Sequence, residues 1–294
     1  MFKCLSPSPL GISAPANDLI EPALSYGFKG LELEIVPFLE SVQRLGMPVA
    51  RRLIDSAKLR LGYFELPFDL GGPDAEFAKH LEGLKVQAAS AKELGCLRAV
   101  TTIAPADDVR PMHQNFVVYQ QRIGAVAAVL DTAGIQLGVG FAATPERRAG
   151  RAFEFIRNFD ALKLLLGMVG AKNVGLSVDL YELWAADSSF DAVQASGFRT
   201  VALFVADAPA DASPSDAVQT SRLLPGETGV IDTAAVLATL GQSGYDGPVV
   251  PKPHPHRFKQ LGRNAVFKLA GEKLEEAWKS AGLNPAGKPA TVKK

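Results

Sequence analysis

Asn173-Val-Gly-Leu-Ser-Val-Asp-Leu-Tyr-Glu-Leu-Trp184 sets the pattern that the rest of the chain repeats. Residues 174–179 form a short apolar run and read as a strand, with Asp179 at its carboxyl end. Residues 180–186 and 190–195 follow as helical pieces. A strand that passes straight into helix is half of a parallel β–α unit, because parallel neighbours need a crossover between them.

The same unit recurs on both sides. Upstream, strands are expected at 2–5, 30–35, 59–67, 97–103 and 135–143. Helices are expected behind them at 20–26, closed by Gly27, at 74–94, ending at Gly95, at 115–132 and at 153–167. Downstream, strands at 200–206 and 248–252 precede helices at 233–241 and 257–280. Eight units of this kind predict an α/β protein whose parallel strands close into a single (β/α)8 barrel ringed by helices. An open doubly wound sheet is the alternative, but no GxGxxG follows the first strand. The barrel is expected over residues 1–281. Residues 282–294, rich in Pro, Gly, Ala and Lys, read as a flexible tail. The 207–221 segment is long enough to act as a lid.

The chain has 294 residues, and 31 Lys and Arg balance 31 Asp and Glu. A neutral chain has no basic excess with which to capture nucleic acid. A hydrophobic share of 47% is ample for a core and excludes an extended disordered chain. Cys4 and Cys96 make no CxxC pair and no disulfide framework, which points to a reduced, cytoplasmic setting. Neither a secretory leader nor a membrane span is expected, and a homo-oligomer is compatible with the composition.

Barrels of this kind carry their chemistry at the carboxyl ends of the strands. That rule selects Glu32 and Glu34 on strand two, where alternation puts both on one face, and Glu65 on strand three. It also selects Asp179 and Glu182 after strand six, Asp207 after strand seven, and Lys252, His254 and His256 after strand eight. Arg222 stands just beyond the long loop. Tyr63, Tyr181 and Trp184 offer aromatic faces for a sugar ring, although aromatics also fill cores; core filling is the better reading of Phe204.

The 173–184 stretch resembles the sixth-strand motif of the xylose isomerase-like barrels, the sugar phosphate isomerase/epimerase group. Asp207-Ala-Pro209 and Arg222-Leu-Leu-Pro-Gly-Glu-Thr-Gly-Val-Ile-Asp232, running into Gly244-Tyr-Asp-Gly-Pro248, agree with it. The resemblance implies a divalent metal held by a Glu ending strand five, an Asp ending strand six, a His in strand seven and a Glu ending strand eight. At those places this chain has Gly140, Asp179, Phe204 and Lys252, and Glu182 stands where the resemblance implies a further His. One carboxylate beside an ammonium group is a poor cage for a hard ion, so no metal and no other cofactor are expected. The only route to a relocated site joins Asp179 and Glu182 to His254 and His256.

Two functions remain open. One is a sugar, sugar phosphate or cyclitol isomerase, epimerase or lyase without the metal. Its catalytic groups would be Glu32, Glu34, Asp179, Glu182 and Lys252, and its substrate contacts Arg222, Asp207, Trp184, Tyr63, Glu65 and His254. The other is a non-catalytic carbohydrate-binding or regulatory barrel, in which Asp179 and Lys252 plug a dead site as a structural ion pair. A small carbohydrate is the ligand in either case.

Overall fold

The structure is a computed structural model and describes residues 1–290. Its strands are β1 (Phe2–Leu5), β2 (Gly30–Leu31), β3 (Arg60–Leu61), β4 (Phe64–Glu65), β5 (Arg98–Ile103), β6 (Ala106–Asp107), β7 (Gln136–Phe141), β8 (Phe153–Glu154), β9 (Val174–Asp179), β10 (Thr200–Val205) and β11 (Pro248–Pro251). Nine of these run in one parallel sheet, in the order β3-β2-β1-β11-β10-β9-β7-β5-β4. The two ends of that order, β3 and β4, are adjacent in sequence and form one stave broken at Gly62–Tyr63. One half pairs with β2 and the other with β5, and this closes the sheet into an eight-stave barrel. The remaining strands, β6 and β8, make a short antiparallel pair in the loops beyond β5 and β7.

The break has a packing cause. A Cβ on Gly62 would lie 2.6 Å from the Cys4 sulfur and 3.1 Å from the Pro248 Cβ. Only glycine allows the third stave to come so close to the first and last. Inside, Phe2, Cys4, Tyr63, Val100, Ala202, Phe204 and Val250 form an apolar plug of their own. The larger core lies outside, between the staves and the helices. Both cysteines are free and buried, and burial pushes the Cys96 thiol up to about 12, so neither is a nucleophile near neutral pH.

Helices α1 (Ala16–Ser25), α2 (Ile35–Leu45), α3 (Met47–Ala57), α4 (Asp74–Glu93), α5 (Met112–Asp131), α6 (Phe159–Val169), α7 (Leu180–Ala185), α8 (Phe190–Ala195), α9 (Thr233–Gln242) and α10 (Arg263–Ser280) complete the ring. Several start where a side chain caps the first turn. The Asn158, Ser189 and Asp232 side chains accept from the backbone N–H of Ala161, Ala192 and Ala235 at 3.0, 3.2 and 2.9 Å.

Three expectations need correction. The helix expected at 153–167 starts at Phe159, because Phe153 and Glu154 are drawn into the pair with β6 and Asn158 supplies the cap. The strand expected at 30–35 ends at Leu31, since the chain turns into α2 at Ile35. The segment from Gly282 to Ala290 packs on the barrel, although its composition reads as a mobile tail. Leu283 is buried and bridges Pro289, the Trp278 indole N–H donates to the Asn284 carbonyl at 2.9 Å, and Gly287 lies against Met1. Residues 291–294 lie outside the described residues. No helix among the described residues is long and apolar enough to cross a membrane.

Candidate active site

Side chains alternate along a strand, so every second residue of each stave points into the barrel. At the carboxyl ends these residues enclose a cavity of 410 Å³. Ser6, Glu32, Tyr63 and Glu65 line it from the first three staves, and Thr102, Gly140 and Ser177 give it a wall of small side chains. Asp179, Phe204 and Lys252 face it from the last three staves.

Two buried carboxylates, Asp179 and Glu182, are tied to one guanidinium. Arg222 Nη1 donates to both oxygens of Asp179 at 2.9 and 3.0 Å, and its Nη2 donates to Glu182 Oε1 at 2.8 Å. Its Nε donates to Gln219 Oε1 at 2.8 Å, and the guanidinium lies 4.5 Å from the centre of the Tyr181 ring. Lys252 Nζ adds a contact of 3.2 Å to Asp179 Oδ2 while standing 4.7 Å from the centre of the Phe204 ring. Asp179 also caps α7, accepting from the Tyr181 N–H at 3.1 Å. Burial alone would raise its pKa, but Arg222 and then Lys252 outweigh burial and hold it at about 2. Glu182 Oε2 accepts from the Ala143 N–H at 2.7 Å, and its Oε1 accepts from Gln219 Nε2 at 2.8 Å.

The second and third staves are different in kind. Glu32 accepts a hydrogen bond from the Ser6 hydroxyl and has no cationic partner among the described residues. Burial pushes its pKa up to about 7; the Ser6 and Tyr63 hydrogen bonds pull against that, and the charge of Glu65 adds to it. A carboxyl group in this state both gives and takes a proton near neutral pH.

Several other residues selected from the sequence sit elsewhere. Glu34 is exposed at the start of α2, off the cavity, because the strand alternation has already ended. Asp207 is fully buried and accepts from the backbone N–H groups of Ala208, Thr228, Gly229 and Ile231 at 2.8–2.9 Å. It braces the 226–231 turn and does not line the cavity. Trp184 packs on Tyr181 with ring centres 5.3 Å apart and lines a groove between α7, α8 and α9 on the outside. Arg222 does line the cavity, but most of its donors are engaged by protein. His254 lines the cavity too; its Nδ1 lies 2.6 Å from that of His256, and burial, then the positive charges of His256 and Arg222, lower its pKa. Asp179 and Glu182 are not joined to this histidine pair: no three His, Cys, Asp or Glu side chains among the described residues form a group that could hold a metal ion.

Ser6, Thr102, Ser177, Arg147 and Gln219 line the cavity without having been singled out. Ser6 ends the first stave, so the strand-end rule would have found it. Gln219 lies on the 207–221 segment, and nothing local marks it. That segment is latched over the site: the Tyr181 hydroxyl donates to the Val218 carbonyl at 2.7 Å, and the Gln219 N–H donates to Glu146 Oε1 at 2.5 Å.

A closed parallel barrel with charged residues at the carboxyl ends of its staves defines a class of α/β proteins that place their ligand sites there. The chain belongs to the xylose isomerase-like TIM barrel family, whose sequence model matches residues 20–277. Among solved structures, a xylose isomerase domain protein from Alicyclobacillus acidocaldarius subsp. acidocaldarius is 24% identical, with 96% of this chain and 99% of that one covered and a TM-score of 0.84. D-psicose 3-epimerase from Clostridium cellulolyticum H10, solved with D-tagatose, is 14% identical over 96% of this chain and 99% of that one, with a TM-score of 0.72. The probable 3-DHS dehydratase AsbF from Bacillus anthracis is 15% identical over 94% and 99%, with a TM-score of 0.68. At such identities the likeness is one of fold. No curated protein matches the chain.

Proposed function

We propose that the chain is an isomerase or epimerase of a sugar, sugar phosphate or cyclitol that moves a proton next to a carbonyl without a divalent metal. The observation that carries this reading is the state of Asp179, whose oxygens are both taken by Arg222 and Lys252. A hard divalent ion needs several free oxygen or nitrogen donors. Gly140 offers none, and even a Cβ there would lie 2.8 Å from the Ser177 carbonyl oxygen. Phe204 offers none, Lys252 brings a positive charge, and Glu182 is already tied to Arg222. The residues present do not fit a divalent ion, and no step is routed through one.

The chemistry follows from the two sides of the cavity. A substrate carbonyl directed at Lys252 places its oxygen against the ammonium group. Glu32 as carboxylate takes the proton from the adjacent carbon, and the C–H electron pair moves through the new C=C bond onto the oxygen. Lys252 stabilises the resulting enediolate. Return of the proton from Glu32 to the neighbouring carbon, while the hydroxyl proton on that carbon passes to the former carbonyl oxygen, gives the isomer; a proton delivered to the opposite face by water, with Glu32 losing the abstracted proton to solvent, gives the epimer. Loss of a β-hydroxyl as water, with Glu32 supplying the proton, gives the lyase outcome instead.

A second reading, a carbohydrate-binding barrel without turnover, is favoured by the self-sufficiency of the Asp179–Arg222–Glu182 network and by the latched loop. The two separate in D₂O containing EDTA. With a panel of pentoses, hexoses, their phosphates and ketocyclitols, the first reading expects deuterium to enter the carbon beside the carbonyl of at least one compound. That signal is expected to vanish in Glu32→Gln and to fall about a hundredfold in Lys252→Met. A sugar that raises the melting temperature with no exchange from any compound supports the second reading.

A further inference from the structure

A second cleft opens beside the cavity at the same end of the barrel. Its volume is 690 Å³, and it lies between the loop after β1 and the segment that leads from β11 into α10. His254 and Pro255 line both spaces, so a two-residue saddle, rather than a wall, divides them. Gly11, at φ +72°, brings the first loop against Pro255, where a Cβ would come within 3.1 Å of the Pro255 Cβ, and this joins the two loops into one floor.

The floor and the rim differ in character. Ile12, Phe258, Leu261 and Val266 supply apolar surface, and Leu261 is 46% exposed, a large side chain left open at the cleft. Lys259 and Arg263 supply the rim. Lys259 has no ion-pair partner among the described residues, and Arg263 reaches its nearest carboxylate, Asp18, only at 4.0 Å. No acidic residue lines the cleft. An apolar floor under a cationic rim, with Lys259 outside any ion pair among the described residues and Arg263 in a long, exposed pair with Asp18, is complementary to a flat apolar group that ends in an anion.

We propose that this cleft is a subsite for an aryl carboxylate group, and that the ligand is a conjugate whose polyhydroxylated part fills the barrel cavity while its aryl part crosses the His254–Pro255 saddle. The joining of the two parts rests on the barrel cavity being the carbohydrate site, as proposed above. The subsite itself rests only on the cleft.

Two probes separate these claims: 4-hydroxybenzoate alone, and a panel of 6-O-(4-carboxyphenyl) hexoses, whose anomeric centre stays free to open to the carbonyl, each titrated calorimetrically into the full chain. The free acid is expected to bind saturably, and 4-hydroxybenzyl alcohol about tenfold more weakly. Lys259→Glu and Leu261→Asp, both at exposed positions, are each expected to weaken the acid by about tenfold with an unchanged circular dichroism spectrum. No saturable binding of the acid, or binding indifferent to both substitutions, overturns the subsite. At least one conjugate is expected to bind about tenfold tighter than the acid, and Lys252→Met to remove that gain. If every conjugate binds no tighter than the acid while the acid responds to both substitutions, the cleft stands and the joined ligand is overturned; the carbohydrate reading of the cavity falls only if the exchange and melting experiments also find no sugar.

Discussion

The cavity presents carboxylates from two sides, and they live under opposite rules. On the β9 side, Asp179 and Glu182 are buried, paired and hydrogen-bonded to Arg222, with Lys252 completing the set. On the β2 side, Glu32 has a hydroxyl partner and a like charge nearby but no cation. Asp179 is held ionised by its cations, whereas burial pushes the Glu32 carboxyl up to about 7. Environment, not residue type, divides electrostatic work from proton transfer.

Breaking the β9 side is expected to have the largest effect. Arg222→Met leaves two buried carboxylates without their shared partner, and denaturant titration is expected to show a loss of about 3–5 kcal/mol. Lys252→Met is milder for stability, about 1 kcal/mol, because Asp179 keeps Arg222. On the present mechanism the same substitution lowers any isotope exchange by about a hundredfold, since the developing oxyanion loses the cation placed against it.

Glu32→Gln sharpens the comparison through pH. A folded pKa of about 7 against an ordinary 4.5 means that the folded chain holds the extra proton between those values. Stability from this group is therefore full below pH 4.5 and falls as pH rises towards 7. Asp179 acts in the reverse direction: its contribution is present above its ordinary 3.8 and is lost as pH falls through about 2. Denaturation midpoints measured from pH 2 to 8 are expected to lose the upper slope in Glu32→Gln and keep the acid one. Glu34→Gln, at an exposed site, is expected to change stability by less than about 0.5 kcal/mol and exchange not at all.

Much of the fold was legible because buried parallel strands are short apolar runs, and all eight staves fall within or beside the expected stretches. The helices of 35–57 were not read, since no strand lies between them to mark a new unit. The 282–290 turn escaped for another reason: Leu283 is its only large apolar side chain, and its order comes from contacts with Met1 and Trp278, far off in sequence or in a different element. At the site, Glu32, Glu65, Asp179, Glu182, Lys252 and His254, all selected by the strand-end rule, line one cavity. The rule failed for Glu34, where the strand had ended, and for Asp207, whose carboxylate turns towards backbone N–H groups of the following loop. The Arg222 bridge was invisible, because neither spacing nor composition says which of several charges a guanidinium will meet.

On the proposed function, two fixed side-chain cations, Arg222 and Lys252, take the place of a divalent ion beside Asp179. Elemental analysis of purified untagged protein, after separate dialysis against Mn²⁺, Zn²⁺ and Mg²⁺ and removal of free ion, is the decisive measurement. No stoichiometric ion is expected in any of the three. One ion per chain, lost in Asp179→Asn, would contradict this reading, because Asp179 would then be a metal ligand and not the partner of Arg222 and Lys252.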